Sequence, residues 1–436
     1  MLPARLHCAI ELVHDVKHLT PHYLLALGLL LGAPSLLYAQ TTQPAGKQTS
    51  PTPTERLQAG IRKALLESQE RFGFPGASFA WVLSNGESGS VSIGRSGPKD
   101  PLKTSHTLFS GSIGKTYFSA VALQLVAEKK LDLDAKVSRY LGKEEWFTRL
   151  PNAEDITVRQ LMNHTSGISE HVQSREFAKA LAKTPQKHWQ PGELLAFALD
   201  KPALFAAGKG WSYADTNYIV LGMILESITG QKAYDLVQKR LLTPLKLRHT
   251  YPTDHADIQD LANGRTTGRI LGLEPGWLVS DGKYGVNPQF EWCGGGFAST
   301  TLDLARWCQQ LYSGKVIPRS VRADLLAGVP ARLGKGTKYG LGVIITPTPQ
   351  GLTYGHSGFM PGYISVMAWY VEHDLALALQ FNTDDFRRIG QRPRRYLDQL
   401  VPMLVEFQKA RKKAEQDANE SLPRKKIDRT PTKAGK

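Results

Sequence analysis

The chain has 436 residues, of which 41% are hydrophobic and 21% are charged, and its formal net charge at pH 7 is +15. These proportions are typical of a soluble globular protein and exclude a mostly disordered chain, a fibrous repeat and a protein built from many membrane spans. Three cysteines are too few for a disulfide scaffold. The excess of positive charge favours anionic surroundings such as cell-wall polymer, lipid headgroups or nucleic acid.

The first 39 residues have the pattern of an export signal. An apolar run at positions 23–37 is followed by Tyr38-Ala39 and then by a polar stretch. The run is short for a stable membrane span, which needs about 20 apolar residues, and it fits a signal peptide cleaved near Ala39. An uncleaved membrane anchor is the alternative. Both interpretations predict an exported protein, periplasmic or secreted.

Two further segments are predicted to lie outside the folded domain, which is expected to cover residues 55–408. Residues 40–54 are rich in proline, threonine and glutamine and predict a flexible linker. Residues 409–436 are dense in lysine and arginine and predict a disordered tail, either simply solvated or in weak electrostatic contact with an anionic surface. The other basic residues are scattered without interleaved aromatics, so no nucleic-acid binding is expected.

The periodicity of the domain predicts strands at both ends and helices in the middle. A helix at 55–72 precedes a hairpin around Asn85-Gly86. Helices are expected at 113–129, 158–162, 192–199, 217–229, 233–241 and 302–312. Strands follow at 339–345, 352–355, 363–370 and 375–381, and a last helix at 394–409. This order predicts an α/β (α+β) fold in which strands from both termini form one antiparallel sheet with flanking helices, beside a mostly helical lobe.

One segment pairs a candidate nucleophile with a candidate base. Ser112 lies where a helical pattern begins, and Lys115 follows three positions later, so that the two side chains share a helix face. A serine hydroxyl needs a base to become nucleophilic, and a lysine can serve once it is desolvated. The Ser-x-x-Lys pattern alone is weak, because a helix-capping serine and a surface lysine give the same spacing.

Two later segments carry further candidates. Tyr213 and Asp215 precede an apolar helical pattern, and a phenol held there can transfer a proton between nucleophile and leaving group. His356, Ser357 and Gly358 lie between two predicted strands, where small residues let the backbone approach a ligand. Structural roles remain open for both segments, as a packed tyrosine and a turn histidine.

Together these segments resemble the serine β-lactamase and penicillin-binding-protein family, in the branch of class C β-lactamases, D-alanyl-D-alanine carboxypeptidases, D-aminopeptidases and esterases. The family's sequence mark is Ser-x-x-Lys, then Tyr-x-Asn, then Lys/His-x-Gly. Ser112–Lys115 matches the first motif and His356–Gly358 the third, while residues 156–167 and 294–306 resemble flanking segments of this branch. The resemblance covers about residues 55–405.

The resemblance implies roles for these residues. Ser112 would form an acyl-enzyme, and Lys115 and Tyr213 would share the proton transfers. The N–H groups of Ser112 and Phe359 would form the oxyanion hole, and His356 with Ser357 would assist proton transfer or hold a substrate carboxylate. The expected substrate is a D-amino-acid peptide of the cell wall, as for a D-alanyl-D-alanine carboxypeptidase. The alternative activities are those of a carboxylesterase and a weak β-lactamase. The alternative of another class is a non-catalytic binding or scaffold protein.

The second motif departs from the family pattern, since Asp215 stands where the family has asparagine. An ionised aspartate only accepts hydrogen bonds. It could therefore pair with Lys115 or with a substrate amine. No metal and no cofactor are expected, and His164 is interpreted as structural. Cys293 and Cys308 are expected to be buried free thiols, with a disulfide as the alternative.

Overall fold

The computed structural model describes residues 50–420, with side chains to residue 417. The predicted signal peptide, most of the predicted linker and residues 421–436 of the predicted tail lie outside the described residues. Within residues 50–420, no helix is both long enough and apolar enough to cross a membrane.

The helices are α1 (Pro53–Phe72), α2 (Lys115–Ala127), α3 (Ser138–Leu141), α4 (Val158–Met162), α5 (Arg175–Lys183), α6 (Pro191–Ala196), α7 (Asp215–Thr229), α8 (Ala233–Val237), α9 (Thr301–Tyr312), α10 (Arg322–Leu326), α11 (Phe386–Ile389) and α12 (Pro393–Glu420). The strands are β1 (Gly76–Val82), β2 (Ser88–Gly94), β3 (Leu108–Phe109), β4 (Thr250–Pro252), β5 (Arg265–Thr266), β6 (Gly276–Trp277), β7 (Val279–Ser280), β8 (Lys283–Tyr284), β9 (Phe297–Ser299), β10 (Val329–Pro330), β11 (Lys338–Tyr339), β12 (Ile344–Thr348), β13 (Gly351–Met360), β14 (Tyr363–Tyr370) and β15 (Leu375–Phe381).

The predicted fold is confirmed: strands from both ends of the domain form one sheet. Its order is β10-β11-β12-β13-β14-β15-β1-β2, and β1 pairs antiparallel with β15 from Ala77–Phe381 to Val82–Ala376. Both strands are buried along their whole length. A sheet covered on both faces needs apolar residues at successive positions, and these two strands supply them.

Helices cover the two faces of this sheet. Helices α1 and α12 pack on one face, where Leu57, Ile61, Leu397 and Val401 form a core cluster with β14 and β15. Helix α9 packs on the opposite face against β1 and β15. Beyond α9 lies the helical lobe, whose centre is formed by α2 and α7; both are apolar on nearly every face, as expected for helices inside a core.

Three predicted boundaries are wrong. Residues 339–345 form two strands, because Gly340 and Gly342 make a tight turn between β11 and β12, with φ of 79° at Gly342. Strand β13 continues to Met360, so the third motif lies within a strand. Helix α12 extends to Glu420 because residues 409–420 are rich in strong helix formers, so this part of the predicted tail is helical.

Candidate active site

The turn that carries Ser112 is pressed against strand β13. Residues Gly111–Gly114 form a 3-10 turn ahead of α2. A Cβ atom on Gly111 would lie 2.6 Å from the backbone nitrogen of Phe359, and one on Gly358 would lie 1.8 Å from the carbonyl oxygen of Ser110. Glycine at these two positions therefore lets the two backbones meet, and the nucleophile lies beside the third motif as predicted.

The half of β13 that carries the third motif has one free edge. Strand β12 pairs with β13 only as far as Gly355, whereas β14 pairs with it to Met360. The segment from His356 to Met360 is thus a local edge, although β13 is a central strand of the sheet. Ser112, Ser357 and Phe359 are partly exposed and can be reached by a substrate.

Lys115 contacts the nucleophile from inside the protein. Its Nζ donates a hydrogen bond to Ser112 Oγ at 3.1 Å, and further hydrogen bonds to the Asp215 carboxylate and the Gly294 carbonyl. The side chain is 0% exposed. Burial alone lowers the pKa of Lys115, but Asp215 and Tyr213 outweigh it, and the pKa lies above its usual value. Lys115 is therefore a protonated member of an ion pair at neutral pH.

Tyr213 lies on the loop before α7, and its ring lies beside Lys115. Lys115 Nζ lies 4.9 Å from the centre of its ring. Burial raises the pKa of Tyr213 to about 12, against the opposing influence of Lys115 and Ser112. The hydroxyl is buried and makes no hydrogen bond with any described residue. Tyr213 is thus a neutral phenol with a free hydroxyl beside the nucleophile.

His356 is buried and makes two hydrogen bonds. Its Nδ1 lies 2.6 Å from the Ser357 carbonyl, which accepts only from an N–H, and its Nε2 lies 2.8 Å from the Tyr339 hydroxyl. Burial, together with the charge of Lys115, lowers the pKa of His356 to about 3. The imidazole is therefore uncharged at neutral pH, so His356 could hold a substrate carboxylate only by a hydrogen bond; its predicted role with Ser357, in proton transfer or in holding a substrate carboxylate, stays a prediction.

Three carboxyl groups surround the single lysine. Asp215 is 15% exposed at its side chain and begins α7, and its N–H donates to Glu170 Oε2 at 2.6 Å. Burial and the nearby Glu170 raise the pKa of Asp215, against the effect of Lys115. Glu291 lies in the 3-10 segment Pro288–Gly294, and burial, with Asp215 nearby, raises its pKa to about 8. Glu291 is therefore mainly an uncharged acid at neutral pH.

His164 supports Tyr213 and not the reaction itself. Its ring lies 4.2 Å from the ring of Tyr213, and its Nδ1 accepts from the N–H of Ala214 at 3.3 Å and lies 3.1 Å from the side-chain nitrogen of Asn217. The residue adopts a left-handed backbone, with φ of 63°. These contacts fit the predicted structural role. Within residues 50–420 no group of three or more metal-ligating side chains converges.

Cys293 and Cys308 are buried and free, as expected. Burial raises the pKa of both thiols. Neither therefore supplies a reactive thiolate near the site.

The structure adds residues that the sequence did not indicate, namely Glu170, Glu291 and Tyr339. The two glutamates lie a few positions from segments that already stood out, after Gly167 and before Gly294. A search for buried acids beside those segments could have found them. Tyr339 carried no signal, because only the pairing of β11, β12 and β13 brings it to His356.

An antiparallel sheet joined to a helical lobe, with a Ser-x-x-Lys pair where they meet, defines the class of the serine β-lactamases and penicillin-binding proteins. The family model named Beta-lactamase matches residues 61–400. The chain belongs to this family of serine hydrolases.

Comparison with known proteins gives the same result. The chain is 25% identical over 297 residues to Penicillin-binding protein 4* of Bacillus subtilis. The match covers 66% of this chain and 63% of that protein, so the chain spans less than two thirds of the relative's length. It is 26% identical over 387 residues to a putative D-alanyl-D-alanine carboxypeptidase of Escherichia coli O157:H7, covering 74% of this chain and 84% of that protein. The structure of a D-stereospecific amidohydrolase from a Streptomyces species matches with a TM-score of 0.66 and 27% identity, covering 76% of this chain and 97% of that one.

Replacing Asp215 by asparagine, the family residue, should move the pH dependence of the reaction. In the wild type the carboxylate raises the pKa of Lys115. Without it, burial dominates and lowers that pKa, so the lysine becomes a free amine at lower pH. We expect the rising limb of the kcat/KM profile to move towards acid pH by about one unit or more.

The matched control is Asp200→Asn, which removes an exposed aspartate paired with Arg149. Its pH profile should coincide with that of the wild type. A profile of Asp215→Asn that also coincides with the wild type would show that Asp215 does not control the protonation of Lys115.

Proposed function

We propose that this protein is a hydrolase that forms an acyl-enzyme on Ser112 and releases it with water. One observation carries the proposal: the ammonium group of fully buried Lys115 lies 3.1 Å from the hydroxyl of partly exposed Ser112. A serine that only caps a helix would not need a buried lysine, since burying a cation is costly even when it is paired. The arrangement is that of a nucleophile with its base.

The reaction begins with a proton transfer inside the buried pair. Lys115 passes a proton to Asp215, whose raised pKa makes it a better acceptor than an exposed aspartate. The free amine then takes the proton of Ser112 as Oγ bonds to the substrate carbonyl carbon, whose C=O π electrons move to oxygen. When the tetrahedral intermediate collapses, the bond to the leaving group breaks and Tyr213 gives its proton to the departing atom. Lys115 then restores the proton of Tyr213.

Water completes the cycle by the same steps in reverse. A water molecule loses a proton to the regenerated base and attacks the acyl carbon, and the Ser112 ester bond then breaks with return of the proton to Oγ. The backbone N–H groups of Ser112 and Phe359 are proposed to stabilise the negative oxygen in both halves. The approach of Gly111 to the nitrogen of Phe359 supports this assignment.

The proposed substrates are amides or peptides of D-amino acids. This class rests on the relatives, whose names include D-alanyl-D-alanine carboxypeptidase, D-aminopeptidase and D-stereospecific amidohydrolase. Because His356 is neutral, the third motif itself offers no positive charge to hold a carboxylate on the leaving group. The same observation makes a carboxylesterase the second candidate. We also propose that the protein is exported, so that it would meet cell-wall peptides.

The test combines covalent labelling with a substrate panel. The protein is treated with a fluorophosphonate and, separately, with penicillin, digested, and mapped by mass spectrometry. Modification of the peptide containing Ser112, and not of the peptide containing Ser357, is the expected result. Release of ammonia from D- but not L-amino-acid amides would support the substrate class. No adduct with either reagent and no turnover would favour a non-catalytic binding protein.

A further inference from the structure

A cavity beside the second motif has the composition of an anion subsite. It has a volume of about 360 Å³, and its walls include Ser169, Glu170, Lys201, Leu204 and Ser212. This volume falls within the range of about 300–1,000 Å³ found for ligand pockets. We call it the Lys201 cavity.

The cavity adjoins the catalytic residues. Ser212 directly precedes Tyr213, and the carbonyl of Ser169 accepts a hydrogen bond from Thr216, in the first turn of α7, at 2.8 Å. Glu170, another wall residue, accepts the N–H of Asp215. The cavity therefore lies beside the segment that carries Tyr213 and Asp215.

Among the described residues, its wall contains a hydroxyl without a hydrogen bond and an ammonium group without an ion pair. The hydroxyl of Ser169 is buried and makes no hydrogen bond. Lys201 is half-buried, and within residues 50–420 its ammonium group forms no ion pair within 4 Å of a carboxylate. A backbone hydrogen bond is the largest cause that lowers the pKa of the exposed Glu176, and the charge of Lys201 adds to it. Such an ammonium group and such a hydroxyl suit an incoming carboxylate.

The negative charge of Glu170 does not oppose this use. Its side chain is 8% exposed, and its two oxygens accept from the N–H groups of Asp215 and Val172 and lie against His171. The carboxylate thus faces the protein interior. The third motif is neutral because His356 is uncharged, and Lys115 is occupied by Asp215. Lys201 is then the cation in position to recognise an acidic substrate.

We infer that the Lys201 cavity binds a carboxylate of the substrate, with Lys201 as its cation and Ser169 as a hydroxyl donor. The inference rests on the proposed hydrolase function and specifies its substrate class as acidic. The carboxylate is either on the acyl part of the substrate or on its leaving group.

The test compares acidic and neutral esters that differ in one group. The acyl arm pairs 4-nitrophenyl hydrogen glutarate with 4-nitrophenyl pentanoate, and the leaving-group arm pairs 3-carboxyphenyl butyrate with phenyl butyrate. In at least one arm the wild type should prefer the acidic ester by about tenfold in kcat/KM, mainly through KM. The arm that responds identifies the source of the carboxylate.

Charge changes at Lys201 should control this preference. Lys201→Met should abolish it, and Lys201→Glu should reverse it. Lys209→Met removes a charge from an exposed lysine on the same loop and should leave the ratio unchanged. Turnover with a ratio that is independent of Lys201 in both arms would overturn the inference and leave the hydrolase proposal intact. Absence of turnover of all four esters, with no fluorophosphonate adduct on Ser112, would instead overturn the hydrolase proposal, and the subsite with it.

Discussion

Lys115→Met is expected to reduce kcat/KM by about 10³-fold or more, close to the loss in Ser112→Ala. The two residues act as one unit, so removing the base should cost nearly as much as removing the nucleophile. The side chain of methionine fills most of the space of lysine but accepts no proton. The measurement is steady-state hydrolysis of an activated ester by the three proteins.

The same variant should also be less stable, and this effect can be separated from the catalytic one. Lys115→Met leaves the buried carboxylate of Asp215 without its partner, which costs about 3 kcal/mol in the free energy of unfolding. The double variant Lys115→Met/Asp215→Asn removes that charge. It should recover most of the lost stability in urea unfolding, yet remain inactive. Recovery of activity in the double variant would contradict the role of Lys115 as base.

The loss of stability in Lys115→Met should depend on pH. Burial raises the pKa of Asp215 in the folded protein, and removing Lys115 removes the main influence that lowers it. The Asp215 carboxyl group then binds a proton more tightly in the folded protein than in the unfolded chain. The free energy of unfolding is therefore greatest below the pKa of Asp215 in the unfolded chain, and it falls as the pH rises through the pKa of Asp215 in the folded protein. In the double variant this slope should disappear.

The parts of the site that the sequence predicted are those held by local geometry. Ser112 and Lys115 are three positions apart, and a turn leading into a helix places them together in almost any fold. Tyr213 is predicted from its match to the second motif of the family, and the apolar helix directly after it is visible in the sequence. The sheet is predictable because β14 and β15 are mainly apolar and are bounded by turns.

The parts that were not predicted depend on contacts between distant segments. Burial and the charge of Lys115 lower the pKa of His356, and its hydrogen-bond partner Tyr339 reaches it only through the pairing of three strands. The raised pKa of Glu291 follows from burial at a 3-10 segment with an unusual backbone at Trp292, where φ is 37°. A motif specifies which residue types are present, but the protonation state of each depends on the complete set of its neighbours.

Tyr213→Phe should affect amides far more than activated esters. An amide nitrogen needs a proton to leave, and the neutral phenol is the group placed to give it, so kcat/KM for a D-amino-acid amide should fall by about 10²–10⁴-fold. A nitrophenolate leaves without a proton, so 4-nitrophenyl esters should lose less than about tenfold. The ratio of the two losses is the diagnostic quantity.

The change should not disturb the fold, which makes the kinetic result interpretable. The hydroxyl of Tyr213 is buried near Lys115 and Ser112 but forms no hydrogen bond of good geometry within residues 50–420, so its removal should cost little stability. The control is Tyr218→Phe, because the ring centre of Tyr218 also lies near Lys115, 5.5 Å from its Nζ. Its hydroxyl, however, forms hydrogen bonds with the Met162 carbonyl and the Ser119 hydroxyl. That variant should lose about 1 kcal/mol of stability and show no discrimination between amide and ester. An equal loss on both substrates in Tyr213→Phe would place the phenol at the attack on the carbonyl and not at the departure of the leaving group.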